Sequence, residues 1–281
     1  RPYNGETIPN PEFLLKDEFV ESIHKAKFKK VPDDFKLLSK EEIEQINKDP
    51  YSSPYMPKQE KGIKLSCALS YQLYVDGKLS DDKKSFGLKF TASDEVFGKS
   101  ASGSPFNVYA PGKYLQEKDN QQVMDSVRTW AYAATAGDTL ADSWPLNEFE
   151  NDSYHLRVYG PNGFYREFKG NAADPDIDVV FEYERSAADT KKPTGNIELK
   201  LDNLSHRQHS VEVYDHGYKT NNHKKILNAS DKANLILKLA DSYGWYEFSV
   251  KVSGIDTFEK RYAGRVETGL SSFSDPQMGN V

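Results

Sequence analysis

The chain is poor in cysteine, in long apolar runs and in excess positive charge, and each shortage excludes something. Cys67 is the single cysteine among 281 residues, which rules out an internal disulfide framework and a cysteine-rich zinc site. Charged residues make up 28% and mean hydropathy is −0.75, so no stretch approaches the ~18 apolar residues of a membrane-spanning helix. Acidic residues outnumber basic ones, 43 to 37, giving a net charge of −6. That balance disfavours a general nucleic-acid binder, whose affinity comes mainly from phosphate contacts. It equally disfavours attachment to anionic lipid through a basic patch. What is abundant is aromatic: 17 Tyr and 15 Phe bring the aromatic share to 12%, which a disordered chain lacks. Folded cores are therefore expected. The chain starts at Arg1 with neither methionine nor signal peptide, which reads as a segment removed upstream.

Residues 1–66 differ from the rest and read as a Pro-rich, partly helical strap. Pro2, Pro9, Pro11, Pro32, Pro50, Pro54 and Pro57 punctuate it, and Pro50–Pro57 is expected to be irregular because proline lacks the amide donor. Phe19, Ile23 and Lys27 lie at helical spacing within Leu15–Phe28. Ser39-x-x-Glu42 reads as a capping box opening a helix over Glu41–Asn47, with Pro50 stopping it. Such helices are too short to stand alone in water, so the strap is expected to pack on something else.

From Cys67 onward the apolar period is two. Leu69, Tyr71, Leu73 and Val75 alternate with polar neighbours, as do Tyr154, Leu156 and Val158; Ile197, Leu199 and Leu201; and Tyr246, Phe248, Val250 and Val252. Alternation buries one row of side chains and wets the other, the mark of antiparallel sheets with one solvated face. Turn signals separate the runs at Asp76-Gly77, Gly160-Pro161-Asn162-Gly163, Thr194-Gly195-Asn196 and Ser253-Gly254.

These runs also repeat. Tyr154-His-Leu-Arg-Val158 followed by Phe164, Phe168 and Gly170 has a counterpart in Tyr246-Glu-Phe-Ser-Val250 followed by Phe258, Tyr262 and Gly264. Val108-Tyr109-x-x-Gly112 matches Val213-Tyr214-x-x-Gly217, and Leu88-Lys-Phe90 matches Leu199-Lys-Leu201, in the same order. The expectation is a mainly β protein of two tandem Ig-like antiparallel β-sandwich modules, each ~90–100 residues. The first is placed at 67–174 and the second at 175–281, their cores spanning 67–170 and 177–266. A polar stretch at Gly112–Ser126 reads as an inserted mobile loop in the first module.

Several groups are candidates for chemistry. Asp174, Asp176 and Asp178 would share one face of an extended chain, where their oxygens suit calcium; otherwise Asp174-Pro175 is a turn and the carboxylates are solvated. His206, His209, His216 and His223 gather in the second module as metal ligands or as solvent-facing loop residues. Tyr159 and Tyr165 flank the Gly160 turn as surface contacts for a lipid interface or ligand, while Phe164 and Phe168 read as core. Trp130, Trp144 and Trp245 are candidate stacking rings. Asp138-Thr139 and Asp142-Ser143 have no histidine partner. The sequence contains no Gly-x-Ser-x-Gly elbow, no phosphate-cradling Gly-rich loop and no His-Glu-x-x-His.

Tyr154-x-Leu-x-Val-Tyr-Gly-Pro-Asn-Gly-Phe-x-Arg-x-Phe-x-Gly170 resembles the C-terminal repeat of bacterial phosphocholine-preferring phospholipases C, of the haemolytic and non-haemolytic type. So do Gly244-Trp-Tyr-x-Phe-x-Val-x-Val, Arg261-Tyr-Ala-Gly-Arg-Val-Glu-Thr-Gly269, Ser274-Asp-Pro-x-Met-Gly279 and Met56-Pro-x-Gln-Glu60. The resemblance covers roughly residues 56–279. It implies a secreted or periplasmic parent in which a metal-dependent phosphoesterase domain precedes two β-repeats. The divalent metal and the nucleophile would lie in that upstream domain, so no catalytic or cofactor-binding residue transfers to this chain. The implied partners are that domain and a phospholipid surface. A different expectation is a stand-alone tandem module binding carbohydrate or lipid headgroups.

Overall fold

The computed structural model describes residues 37–55 and 62–278, together with Glu21 and Lys25. The chain divides into two compact units, Arg1–Lys58 and Gln59–Val281. In the first unit the capping box forms. Ser39 Oγ accepts from the Glu42 amide at 3.2 Å, and the Ser39 amide donates to Glu42 Oε2 at 2.8 Å, opening α1 (Lys40–Lys48). Asp49 ends the helix and one 3₁₀ turn follows at Pro50–Ser52. Of the helix expected over Leu15–Phe28, only Glu21 and Lys25 are described; both are helical and ion-paired at 3.0 Å.

The second unit is built from antiparallel strands. In its first half these are β1 (Leu65–Ser66), β2 (Leu73–Leu79), β3 (Ser85–Ala92), β4 (Ser104–Lys118), β5 (Gln121–Ala134), β6 (Asp138–Pro145), β7 (Ser153–Tyr159) and β8 (Tyr165–Asn171). Its second half has β9 (Ile177–Arg185), β10 (Pro193–Asn203), β11 (His209–Asp215), β12 (His223–Leu227), β13 (Lys232–Leu237), β14 (Trp245–Val252), β15 (Ile255–Arg265) and β16 (Ser272–Phe273). One three-stranded sheet runs β2-β3-β6 and another β13-β10-β9. Both halves contribute to a single eight-stranded sheet ordered β12-β11-β14-β15-β8-β7-β4-β5. Each half is thus a two-layer sandwich, and the two share one layer.

That order is a mirror image about the β15–β8 seam, as a duplication predicts. At the seam Glu167 lies opposite Arg261, Arg166 opposite Tyr262, and Phe168 opposite Lys260. Glu167 and Arg261 are equivalent positions of the two repeats, so a local pseudo-two-fold axis passes through this pair. An edge pairing of this kind leaves no hydrophobic signature, because it is made by backbone groups. Outside the sheets, β1 pairs with β16 and ties the start of the unit to its tail.

The alternation places the cores. Leu73, Val75, Phe90, Leu156, Val158 and Phe168 belong to the first, where Phe86 stacks on Tyr154 at 3.9 Å between centroids. Ile197, Leu199, Leu201, Phe248 and Val250 belong to the second, where Phe248 stacks on Tyr262 at 5.2 Å. The paired tyrosines Tyr154 and Tyr246 each sit opposite a glycine, Gly170 and Gly264. A Cβ on Gly170 would come within 2.5 Å of the Tyr154 hydroxyl, and one on Gly264 within 3.0 Å of the Tyr246 hydroxyl. The repeated Tyr and Gly therefore form one packing device used twice.

Four expectations need correction. The first alternating strand, β2, opens at Leu73 rather than Leu69, and Gln72 points inward: its Oε1 accepts from the Val96 amide at 2.9 Å, holding the next loop. Asp76-Gly77 is no turn but the middle of β2; Gly77 is there because a Cβ would meet Phe86 at 2.6 Å and Phe168 at 2.9 Å. Thr194-Gly195-Asn196 lies within β10 as an irregularity between Pro193 and Ile197, with Gly195 at φ 93°. Gly112–Ser126 is no loop: β4 and β5 form a long hairpin closed by Asp119 and Asn120, whose φ of 52° and 60° suit a type I′ turn. The turns at Gly160–Gly163 and Ser253-Gly254 connect β7 to β8 and β14 to β15.

Candidate functional site

The inward side of the seam carries two cations at equivalent positions. In Phe164-x-Arg166-x-Phe168 and Phe258-x-Lys260-x-Tyr262 the alternation that buries the rings buries Arg166 and Lys260 with them. Arg166 crosses into the second core. Its Nη1 donates to the Tyr165 and Ala263 carbonyls at 2.8 and 2.9 Å, and its Nη2 to the Tyr246 hydroxyl at 3.1 Å. The guanidinium lies 4.2 Å from the Phe164 ring centroid and 4.5 Å from that of Phe181, a cation–π enclosure.

Lys260 faces the first module instead. Its Nζ donates to the Gly77 carbonyl at 2.9 Å, and no carboxylate within the described residues forms an ion pair with it. Burial pulls its pKa down, against the opposing fields of Asp178, Asp76 and Asp174. Beside it opens a cavity of about 250 Å³, with Phe86, Tyr154, Asp174, Asp178 and Lys83 in its wall.

The three aspartates meet this cavity by separate routes. Asp174 is buried, accepting from the Tyr154 hydroxyl at 2.5 Å and from the Asn171 amide at 2.9 Å. Burial raises its pKa, and burial with the Asp174 charge pushes the Tyr154 phenol well above its ordinary value. Asp176 pairs with Lys83 at 2.8 Å. Asp178 stands in β9, half-buried, with no hydrogen bond or ion pair among the described residues. The shared face expected of an extended chain is absent because Ile177 donates to the Pro175 carbonyl at 2.7 Å, folding the segment before β9 begins. Among the described residues no group of three or more His, Cys, Asp or Glu side chains is placed to hold a metal. Asp174, Asp176 and Asp178 are therefore not gathered around one point as a calcium cage would require.

On the outer face of the eight-stranded sheet, Tyr159 is 41% exposed and Tyr165 half-buried, their rings 5.1 Å apart. They border a cleft of about 430 Å³ shared with Tyr218, Glu247, Arg261 and Asp275. Arg261 pairs with Glu247, and the Tyr218 hydroxyl donates to Asp275 at 2.9 Å. Phe164 and Phe168 are core, as their spacing predicts. Next to the cleft, Glu167 is almost wholly buried under His155, Arg157 and Lys169, at 2.6, 2.8 and 3.4 Å. Burial works against its charge, yet the bonds from His155 and Arg157 hold the carboxyl well below the usual carboxylate range.

The other candidates are engaged in packing. Trp144 and Trp245 are buried, and Trp130 is packed between Tyr114 and Trp144 at 5.1 and 5.3 Å, so a tryptophan stacking platform loses its rings. His209 bonds to Ser205, His223 to the Thr220 carbonyl, and His206 is exposed; they do not converge. His216 contacts Ser249 at 2.8 Å while Ser249 donates to Glu259 at 2.7 Å. There the serine sits between acid and imidazole, the reverse of a nucleophile activated by histidine. Asp138 accepts from Thr135, and Asp142 from Tyr132, across local turns and strands. No helix among the described residues is long and apolar enough to cross a membrane.

Two sandwiches fused through one eight-stranded sheet define a class of tandem β-module. The chain belongs to the family described as bacterial phospholipase C, C-terminal domain, which it matches twice, over residues 65–171 and 177–265. It is 30% identical over 228 residues to the non-hemolytic phospholipase C of Pseudomonas aeruginosa, a match covering 80% of this chain and 30% of that protein. It is 30% identical over 232 residues to the non-hemolytic phospholipase C of Burkholderia pseudomallei, covering 81% and 29%. To the hemolytic phospholipase C of Pseudomonas aeruginosa it is 30% identical over 240 residues, covering 80% and 31%. The matched region thus spans about 30% of the length of these relatives.

Proposed function

We propose that the chain supplies the non-catalytic C-terminal β-modules of a secreted or periplasmic phospholipase C. That enzyme is a phosphoric diester hydrolase acting on phosphatidylcholine-type lipids and releasing diacylglycerol and phosphocholine. The observation that carries the reading is the double match to the family's C-terminal domain, one match per module. In this reading an upstream phosphoesterase domain with its divalent metal performs the hydrolysis, and the fused sheet is a rigid support for it. Incubated with phosphatidylcholine vesicles and zinc, magnesium or calcium, the 281-residue chain is expected to release no phosphocholine. Metal-dependent turnover by this chain alone would overturn the reading.

The pair of exposed Tyr159 and half-buried Tyr165 supports a second role, contact with lipid headgroups through amphipathic rings. Co-sedimentation with zwitterionic vesicles, lost when both are changed to Ala, is the expected result. Retention by the double variant would remove these rings from any lipid contact.

A further inference from the structure

Lys260 and Asp178 form an unusual pair. Both line the 250 Å³ cavity, and among the described residues no ion pair joins them. The Lys260 amine gives one hydrogen to the Gly77 carbonyl and keeps the others uncommitted, while the Asp178 carboxylate has no donor at all. A buried amine with one bond is costly, because water has been removed without full replacement. The equivalent cation provides an internal contrast: Arg166 gives Nη1 to two carbonyls and Nη2 to a phenol, leaves Nε without a partner, and is enclosed by rings rather than facing a cavity. One half of the seam thus holds a ring-enclosed cation and the other a cation beside an opening.

The charges around that opening select its occupant. Lys78, Lys83 and Lys260 face Asp81, Asp174, Asp176 and Asp178, three positive against four negative, so an anion meets net repulsion. A metal cation finds Asp174 and Asp176 already engaged and the Lys260 amine in its way. A neutral molecule bearing adjacent hydroxyls meets both demands at once. One oxygen accepts from Lys260, one O–H donates to Asp178, and its C–H face lies against Tyr154 and Phe258. At ~30 Å³ of liquid per water molecule, the space equals roughly eight waters, which limits the guest to a small polyol or one sugar ring.

We propose that this junction cavity is a binding site for a small neutral polyol or monosaccharide, held between Lys260 and Asp178. The site is independent of the phospholipase reading and of the Tyr159 cleft. Two-dimensional amide NMR of the whole chain, titrated separately with glycerol, myo-inositol and D-glucose, tests it. The expected result is saturable shifts at Gly77, Tyr154 and Lys260 with at least one of these probes. Asp178→Asn and Lys260→Met should each weaken that binding about tenfold, the worth of a hydrogen bond to a charged group. Should Lys260→Met fold poorly, Asp178→Asn decides, since the half-buried Asp178 side chain makes no hydrogen bond among the described residues and Asn keeps its shape. Vesicles bearing a glucosyl lipid distinguish a lipid-borne sugar from a free one, and binding in either arm supports the site. Absence of cavity shifts with every polyol and with the glucosyl lipid overturns it. So does a saturable response of the same amides to inorganic phosphate or calcium alone.

Discussion

The first and second modules descend from one pattern yet treat the same two positions differently. Arg166 and Lys260 are equivalent, both are buried, and each reaches across the seam into the territory of the other module. Arg166 has three oxygens and an aromatic enclosure, with only its Nε left unpartnered, whereas Lys260 has one carbonyl and a cavity. The outer strands differ too: β4 and β5 run for 15 and 14 residues, while their counterparts β11 and β12 run for 7 and 5. The lesson is that a duplicated frame preserves backbone register and inward parity, while the groups at its border are free to take different work.

The largest loss of stability is expected in the second core. Phe248 is fully buried and stacked on Tyr262, so Phe248→Ala should cost ~3–5 kcal/mol in denaturant unfolding. A loss below ~1 kcal/mol would place that ring outside a packed core. A smaller contrast is expected at the seam. Arg166→Met leaves the Tyr246 hydroxyl and two carbonyls short of a donor and should cost ~2–3 kcal/mol. Lys260→Met removes a poorly satisfied buried amine and should stay within ~1 kcal/mol of the parent chain. Equal losses at the two positions would erase the asymmetry between the modules.

The smallest effect expected is one of pH. Glu167 has a folded-state pKa below its unfolded value, so its stabilisation is complete above the ordinary carboxylate range and is lost as pH falls through the folded pKa. The stability gap between the parent chain and Glu167→Gln should therefore be widest above pH ~4.3 and shrink in stronger acid. A gap that is constant with pH would show that the His155 and Arg157 bonds do not depend on its charge.

The strands with one apolar row were legible because burial and period two coincide, as at Leu156, Leu199 and Phe248. The inward Arg166 and Lys260 were legible by the same parity but hidden by their charge. The distal part of the β4–β5 hairpin, residues 112–126, escaped because only Tyr114 is buried there, so both of its faces are largely polar and no alternation survives. Asp76-Gly77 has the composition of a turn, but the glycine answers to Phe86 and Phe168, which are distant in sequence. The Asp174–Asp178 spacing presumed an extended backbone, and a local turn at Pro175 removed the premise. The shared sheet could not be read at all, since backbone pairing between β8 and β15 is indifferent to side-chain type.

The seam also bears on how such a molecule changes over generations. Arg166 depends on Phe181, Tyr246 and Tyr262 from the other half, and Lys260 on the carbonyl of Gly77. Either half released alone would carry a stranded cation and an open strand edge into water. Each half thus completes a buried cation of the other, so the border between them is shared property rather than a joint between two finished parts.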